Sequence, residues 1–499
     1  MKNMKKSNMR KSWIRFIAFL LAFALPVLAV SSIVFIAPSR FDETFLGEFE
    51  KKVDRLYETE GEKIVIIGGS SLAFGLDAKL LSETLGKPVI NFGLYATLGT
   101  KVMMDYSRDA IGEGDIIVIA PEMNAQTWST YFNAEAMWQA LDGNFSDFRY
   151  LSSDDYPAML GSFWKFAASK AKYFKQEMNI SGLGIYKASS FDEYGFIANN
   201  RVKDYNTMPG GFDEGKPVEF KTDMISPEFV DYVNEYVKYA DSKGAKVYLA
   251  SCPINESAIP LDLEMEDIDA YCAALEEMFD CPVLGRSEDG TLAEGSPAYM
   301  IYPSGYFFDS NFHLNSAGAV LHTKQFALGL APLVGMNTED IKIEEPEAPE
   351  IPVDDTVYEY DENEIYFTFD VSSDGVVSIT GLTEQGKAQT SLRTPMAYDG
   401  KKVTHISSNA FDGGSALNEL FVTDNILKIE NGAFRGADSL MKIHILSEEC
   451  TTEPVDNDES KRMLEGLPQG CRFYVPKQAL DTYQNNYFWY VYGDYLIGE

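Results

Sequence analysis

Residues 64–75 read Ile-Val-Ile-Ile-Gly-Gly-Ser-Ser-Leu-Ala-Phe-Gly, and this stretch decides how the rest of the chain is interpreted. Four β-branched apolar residues in succession are typical of a strand buried on both faces of a parallel sheet. Two glycines then allow a sharp turn, and Ser70 and Ser71 stand where a helix begins. Either serine can serve as a helix cap or, at the carboxyl end of such a strand, contribute to a ligand site.

The segments after this stretch repeat its rhythm of strand and helix. A helix is expected around 77–85, a strand over 87–93, a helix over about 97–111 and a strand over 115–124. This β-α-β-α-β order predicts an α/β fold with a doubly wound parallel sheet. The rhythm returns after residue 227 and ends with a helix that runs to about 331.

Residues 125–225 interrupt this rhythm and are rich in aromatic and loop residues, including Trp128, Trp138 and Trp164. Such an insertion can form a lid or substrate wall above the strand ends. It can equally be a helical elaboration that packs on the sheet. The sequence leaves both interpretations open.

The N-terminal part has the features of a membrane anchor. Residues 1–15 carry six basic side chains and no acidic one, and residues 16–37 are almost wholly apolar. A helix of that length spans about 33 Å, enough for the bilayer core. The basic flank predicts a single-pass membrane protein with a cytoplasmic N-terminus and an extracellular body. Cleavage of a signal peptide after residues 27–29 is the alternative, but the apolar run continues beyond that point.

The composition excludes several classes of function. A net charge of −34 repels nucleic acid, so no nucleic-acid partner is expected. The five cysteines show neither a CxxC pair nor metal-ligand spacing, so neither a metal nor another cofactor is expected. The chain has only four histidines, and any imidazole base must be one of them.

The C-terminal part contains an internal repeat. Residues 405–411, His-Ile-Ser-Ser-Asn-Ala-Phe, recur as Lys-Ile-Glu-Asn-Gly-Ala-Phe at 428–434, an offset of 23 residues. A period of about 20–29 residues with fixed apolar positions indicates a leucine-rich solenoid. The pattern Asn-Ala-Phe…Leu…Leu resembles the BspA-type leucine-rich repeats of bacterial surface proteins over roughly residues 400–490. That resemblance implies a small solenoid able to hold a protein or glycan ligand.

These features divide the chain into five expected regions. Glu and Pro dominate the stretch before the repeat, which is typical of a solvated linker. The regions are a basic cytoplasmic tail (1–15), a transmembrane anchor (16–37), an α/β domain (41–335, with the insertion at 125–225), an acidic linker (337–356) and a leucine-rich-repeat domain (357–499).

One histidine stands where serine chemistry needs a base. His313 precedes the last helix of the α/β domain, with Asp309 four residues upstream. A serine nucleophile needs a neutral imidazole to accept its proton and a carboxylate to orient that imidazole. Ser71, His313 and Asp309 can fill these roles. The N–H of Gly93 and the side chain of Asn124 can bind the oxyanion.

The same segments resemble the sequence blocks of the SGNH (GDSL-like) hydrolases. Residues 69–75 resemble the block Gly-Asp-Ser-x-x-x-Gly, which implies that Ser71 is the nucleophile. Residues 91–93 and 122–124 resemble the blocks that supply the oxyanion donors, and residues 309–313 resemble the block with the catalytic histidine. The resemblance covers about residues 62–331 and implies a flavodoxin-like sandwich.

Three departures from the family pattern leave alternatives open. Ser70 replaces the usual aspartate, so Ser70 is an alternative nucleophile. Glu122 stands where the third block has its glycine. Asp309 and His313 are four residues apart, whereas the family spacing is three.

The resemblance implies an extracytoplasmic serine esterase or acyltransferase that works through an acyl-enzyme. Membrane-anchored relatives act on D-alanyl teichoic acids or on acetyl groups of exopolysaccharides, so a cell-envelope polysaccharide or teichoic-acid-like substrate is expected. The alternative is a non-catalytic cell-surface binding or adhesion protein whose α/β domain is a degenerate scaffold. A serine within hydrogen-bond reach of His313 would distinguish the two.

Overall fold

The computed structural model describes most of the chain outside its N-terminal segment. The described residues are 29, 31–175, 185–202, 218, 220–260, 263–286, 300–349, 359–372, 376–448, 450–452, 463–485 and 489–499.

The first unit is a mixed α/β structure around a parallel four-stranded sheet. Its strands have the order β2-β1-β3-β4, and the parallel α/β sheet expected from the sequence is therefore present. In chain order its elements are α1 (Phe49–Glu58), β1 (Ile64–Gly68), α2 (Ser70–Gly75), α3 (Ala78–Leu85), β2 (Val89–Gly93), α4 (Thr100–Ser107), β3 (Ile116–Ala120), α5 (Ala134–Ala140), α6 (Tyr156–Lys175), α7 (Pro227–Ser242), β4 (Lys246–Leu249), β5 (Ile254–Asn255), α8 (Met265–Met278), β6 (Ile301–Tyr302) and α9 (Ser316–Leu330).

Strand β1 is buried on both faces, which explains its uninterrupted apolar run. Val65 and Ile67 belong to a core that contains apolar side chains of α1, α4 and α7. Ile64 and Ile66 face the opposite core, shared with α3 and α9. Because the chain moves from β1 to β2 on one side and then to β3 on the other, the ends of β1 and β3 flank a topological switch point. Open α/β sheets bind their ligands at such points.

The segment 125–225 contributes a helical elaboration to this unit. Trp128 and Trp138 are buried in the same core as the β1 side chains Val65 and Ile67. Helices α5 and α6 pack against each other in this segment. These helices therefore fit the interpretation of a helical elaboration that packs on the sheet. Tyr186 of the same segment reaches the candidate site.

The prediction of a transmembrane anchor over residues 16–37 needs correction. Residues 16–28 and 30 lie outside the described residues, and residues 31–36 are helical. Its Phe35 ring lies 4.8 Å from the Phe145 ring, and Lys170 Nζ donates to the carbonyl oxygens of Val34 at 3.0 Å and Ala37 at 2.8 Å. Within this segment Phe35 contacts aromatic side chains of the α/β unit, whereas Ile33 and Ile36 are exposed.

Within the described part of the chain, no helix combines the length and apolar character needed to cross a membrane. The structure therefore does not support the predicted transmembrane helix, nor the single-pass membrane location with an extracellular body that depended on it.

The C-terminal unit is built from two sheets in which most neighbouring strands are parallel. The elements are β7 (Phe367–Val371), β8 (Val377–Leu382), α10 (Glu384–Lys387), β9 (Ser391–Arg393), β10 (Ala397–Tyr398), β11 (Lys401–Ile406), β12 (Glu419–Val422), β13 (Lys428–Ile429), β14 (Lys442–Ile445), β15 (Thr451–Thr452), β16 (Arg472–Val475), α11 (Leu480–Asn485) and β17 (Leu496–Gly498). Strand β7 pairs with β8, and β10 with β11, in antiparallel fashion. In the parallel pairs β11–β13 and β12–β14, facing residues such as Ile406 and Ile429 or Leu420 and Ile443 are 23 residues apart, which is the offset of the sequence repeat.

The first half of the expected linker packs on the α/β unit. Ile341 and Ile343 are buried in the core shared with α3 and α9. The hydroxyl of Tyr306 donates to the carbonyl oxygen of Pro346 at 3.0 Å, and Lys324 pairs with Glu345 at 2.8 Å. The α/β unit therefore continues to about residue 349, beyond the boundary at 335 that the sequence indicated.

We expect Lys170→Ala to lower the free energy of unfolding by about 3–5 kcal/mol, because it leaves the buried carboxylate of Asp142 without its cation. The two groups are 2.6 Å apart and their side chains are 2% and 0% exposed. Lys165 lies on the same helix and pairs with Glu135, but its side chain is 59% exposed. Lys165→Ala is the matched control, with an expected loss of less than about 1 kcal/mol. Urea unfolding measures both, and equal losses would contradict a buried ion pair at Lys170.

Candidate active site

The structure brings Ser70 to His313. Ser70 is the first residue of α2, directly after the turn that ends β1. Its Oγ lies 2.8 Å from Nε2 of His313. Both residues are buried, with exposed fractions of 5% and 2%. Ser70, the alternative nucleophile of the sequence analysis, is therefore the serine in contact with the predicted base.

Ser71, predicted as the nucleophile, is not brought to the histidine. Its hydroxyl is fully buried and has no hydrogen-bond partner. Consecutive helical residues point about 100° apart, so Ser71 cannot share the direction of Ser70 at the start of α2. Ser71 was predicted because residues 69–71 align with the Gly-Asp-Ser of the family block. In the structure the preceding residue, Ser70, faces His313.

A tight turn joins the base to its carboxylate. Nδ1 of His313 lies 2.8 Å from Oδ1 of Asp309, whose side chain is 0% exposed. The hydroxyl of Ser310 accepts hydrogen bonds from the backbone N–H groups of Phe312 at 3.2 Å and His313 at 3.0 Å. This turn shortens the path between the two catalytic candidates, so a spacing of four residues still allows the contact.

Tyr186 is a site residue that the sequence analysis missed. Its hydroxyl donates to Oδ2 of Asp309 at 2.6 Å and lies 3.0 Å from Nδ1 of His313. The carboxylate of Asp309 is thus held on both oxygens, one by the imidazole and one by the phenol. Tyr186 is 123 residues from Asp309 in the chain, and no local pattern marks it.

Phe74 supports the imidazole from the helix that carries Ser70. Its ring is stacked on the His313 ring, with centroids 4.2 Å apart and an interplanar angle of 2°. Phe74 follows Ser70 by four residues on α2, so both project from the same side of the helix. The stacking fixes the plane of the imidazole and covers it with an apolar surface.

Arg201 is a buried cation that ties the surrounding backbone together. Its guanidinium donates to the carbonyl oxygens of Phe74, Ile197 and Leu314. Burial lowers the pKa of Arg201 to about 10, and the negative charge of Asp309 partly opposes that shift. Arg201 thus connects α2 with the residue that follows His313.

The contacts described for the two predicted oxyanion donors are local, and those of Asn124 involve its acceptor oxygen Oδ1 and not the amide N–H₂ that would bind an oxyanion. The N–H of Gly93 donates to Oδ1 of Asn91 at 3.2 Å. Oδ1 of Asn124 accepts from the N–H groups of Gln126 and Thr127, both at 3.1 Å, and so shapes the loop after β3. No described contact places either residue beside Ser70.

Glu122 contacts both the candidate nucleophile and the backbone N–H that follows it. Its Oε1 accepts from the backbone N–H of Ser71 at 2.9 Å and from the hydroxyl of Ser70 at 3.1 Å. The residue is 6% exposed. The sequence already marked this position as unusual, because Glu122 stands where the third block of the family has its glycine.

The other three histidines, all within the described residues, have different surroundings. Nδ1 of His322 lies 3.0 Å from the hydroxyl of Tyr302, and burial lowers the pKa of His322 to about 3, so it stays neutral. His405 and His444 lie on strands of the repeat unit. Among the described residues, no group of three or more His, Cys, Asp or Glu side chains could hold a metal ion.

Comparisons with known proteins add little to this picture. No family model matches the chain, and no curated protein matches it. One solved structure with a weak likeness is a leucine-rich repeat protein from Bacteroides capillosus, determined by crystallography. It is 20% identical, with a TM-score of 0.17, and the match covers 22% of this chain and 94% of that one. Neither the family models nor the curated proteins support the resemblance to an SGNH hydrolase.

We expect Gly93→Ala to destabilise the α/β unit by about 1–3 kcal/mol, because overpacking forces neighbouring atoms apart. An added Cβ would lie 2.6 Å from Cβ of Leu72 and 2.8 Å from the carbonyl oxygen of Gly69, in the turn that carries Ser70. Gly112 has open space in the same direction, so Gly112→Ala is the control and should change stability by less than about 0.5 kcal/mol. Chemical denaturation compares the two. A Gly93→Ala protein as stable as the wild type would show that the strand end and the turn are not in close contact.

Proposed function

We propose that the α/β unit is a serine esterase or acyltransferase that works through an acyl-enzyme on Ser70. One observation carries the proposal: the hydroxyl of Ser70, the imidazole of His313 and the carboxylate of Asp309 are connected by two hydrogen bonds of 2.8 Å. This order of groups activates a serine, because the imidazole accepts its proton and the carboxylate stabilises the resulting imidazolium.

In the first half of the reaction, Oγ of Ser70 attacks the carbonyl carbon of an ester. The new Oγ–C bond forms as the carbonyl π electrons move to oxygen, and the Ser70 proton passes to Nε2 of His313. When the carbonyl re-forms, the bond to the leaving alcohol breaks, and that alcohol takes the proton from Nε2. An acyl group remains on Ser70.

In the second half, a water molecule or an acceptor hydroxyl attacks the acyl-enzyme. Nε2 of His313 accepts its proton and then returns a proton to Oγ of Ser70 as the acyl bond breaks. Water gives hydrolysis, and a sugar hydroxyl gives acyl transfer. The serine and the imidazole end in their starting protonation states, so the cycle is complete.

Tyr186 and Phe74 act as positioning residues in this scheme. The phenol of Tyr186 holds Oδ2 of Asp309 at 2.6 Å, which leaves Oδ1 directed at the imidazole. The ring of Phe74 keeps the imidazole in a plane from which Nε2 reaches Ser70. Neither residue exchanges a proton with the substrate.

The substrate class rests on the sequence blocks and on charge. Their resemblance to SGNH hydrolases supports acetyl or D-alanyl esters of a cell-envelope polysaccharide or teichoic-acid-like glycan. The net charge of −34 favours a neutral or cationic ester over an anionic one. The contact between Ser70 and His313 favours catalysis over the alternative of a non-catalytic scaffold whose repeat unit binds a ligand.

The test is a fluorophosphonate probe, which reacts with activated serines, followed by peptide mass spectrometry. Ser70 should be the labelled residue. Ser70→Ala and His313→Ala should each lower kcat for a short-chain nitrophenyl ester by a factor on the order of 10⁶ if the groups act as one unit. Ser71→Ala removes only a hydroxyl without a hydrogen-bond partner and keeps the backbone N–H. It is the matched control and should label at the wild-type rate.

Two outcomes would contradict the proposal. Labelling that persists in Ser70→Ala but disappears in Ser71→Ala would move the nucleophile one residue downstream. An absence of labelling at either serine, in a protein whose thermal unfolding shows it to be folded, would remove the acyl-enzyme mechanism and leave the binding-protein alternative.

A further inference from the structure

The proposed reaction has no role for the carboxylate that touches its nucleophile. Oε1 of Glu122 lies 3.1 Å from Oγ of Ser70 and 2.9 Å from the backbone nitrogen of Ser71. A single oxygen atom therefore contacts both the attacking hydroxyl and the N–H that follows it. Glu122 is 6% exposed, so this contact lies inside the protein.

That position is where the reacting oxygen of an ester has to go. In acyl transfer, the carbonyl oxygen becomes an oxyanion and must lie about 3 Å from a hydrogen-bond donor while its carbon meets the nucleophile. The N–H of Ser71 is the donor adjacent to Ser70. Oε1 of Glu122 thus stands in for the carbonyl oxygen of the substrate, and both cannot occupy the same place.

The carboxylate also competes with the base for one proton. The hydroxyl of Ser70 has a single hydrogen and two acceptors within reach, Nε2 of His313 at 2.8 Å and Oε1 of Glu122 at 3.1 Å. When an ionised Glu122 receives this hydrogen, His313 does not. The contact therefore weakens the activation of the serine as well as filling the oxyanion position.

Two features of the fold bring Glu122 into contact with Ser70 and the N–H of Ser71. Gly68 at the end of β1 is paired with Ala120 at the end of β3, so Ser70 and Glu122 each follow a paired strand end by two residues. An added Cβ on Gly69 would lie 2.6 Å from Oε1 of Glu122, so the absence of a side chain there makes room for the carboxylate.

We propose that Glu122 is an internal occupant of the oxyanion site, which keeps the resting site closed until the substrate carbonyl displaces it from the N–H of Ser71. This inference rests on the proposed function. Displacement restores the Ser70 hydrogen to His313 and frees the donor for the oxyanion. Glu122 thereby controls how readily the nucleophile reacts.

The experiment compares the rate of fluorophosphonate labelling of the full chain and of Glu122→Ala. One oxyanion donor is worth about 10²–10³ in rate, so emptying the site should accelerate labelling by about tenfold to 10²-fold. Glu122→Gln keeps the shape of the side chain but lacks its charge, and its rate should fall between the two. The double variant Ser70→Ala/Glu122→Ala should not label.

The possible failures are distinguishable. If the wild type labels at Ser70 but both folded Glu122 variants label more slowly, Glu122 assists the reaction, and this inference is overturned while the proposed function stands. If neither the wild type nor a folded Glu122 variant labels, both fail.

A crystal structure of the wild-type phosphonate adduct gives a second readout that does not depend on variants. A phosphoryl oxygen on the Ser71 N–H, with Glu122 moved away, is expected. An adduct in which Glu122 still accepts from that N–H would overturn the inference.

Discussion

The site depends on how closely the backbone packs where β1 and β2 end. An added Cβ on Gly68 would lie 2.6 Å from the carbonyl oxygen of Ala120, and one on Gly93 would lie 2.6 Å from Cβ of Leu72. Only residues without side chains allow β1 to approach β3, and β2 to approach the turn into α2, this closely. Because of that approach, Ser70 emerges at the switch point of the sheet, opposite the turn that carries Asp309 and His313.

The sequence predicted the parts of this arrangement that depend on local pattern. Runs of β-branched residues predicted the central strands, and the scarcity of histidine directed attention to His313. The choice between Ser70 and Ser71 could not be made in advance, because it depends on the direction in which α2 leaves the turn. The role of Tyr186 could not be predicted for another reason. Its contact with Asp309 is tertiary, and nothing in its own segment of the sequence indicates it.

The errors have physical causes of the same kind. The membrane anchor was predicted from hydrophobicity alone, which does not reveal that Lys170 binds the carbonyl oxygens of Val34 and Ala37. Residues 341–349 were taken for a solvated linker because of their acidic composition, yet Ile341 and Ile343 are enough to dock this stretch on the α/β core. The repeat unit was easier to predict, since an offset of 23 residues translates directly into strand register.

The short helix α2 has a consequence for how the site tolerates change. It carries Ser70 at its start and Phe74 one turn later, and Arg201 holds the carbonyl oxygen of Phe74. Ser70 and Phe74 therefore belong to one short helix that Arg201 holds at its far end. A change that tilts this helix displaces the Ser70 hydroxyl and the stacking partner of His313 together, so the position of the serine cannot change independently of the plane of the imidazole.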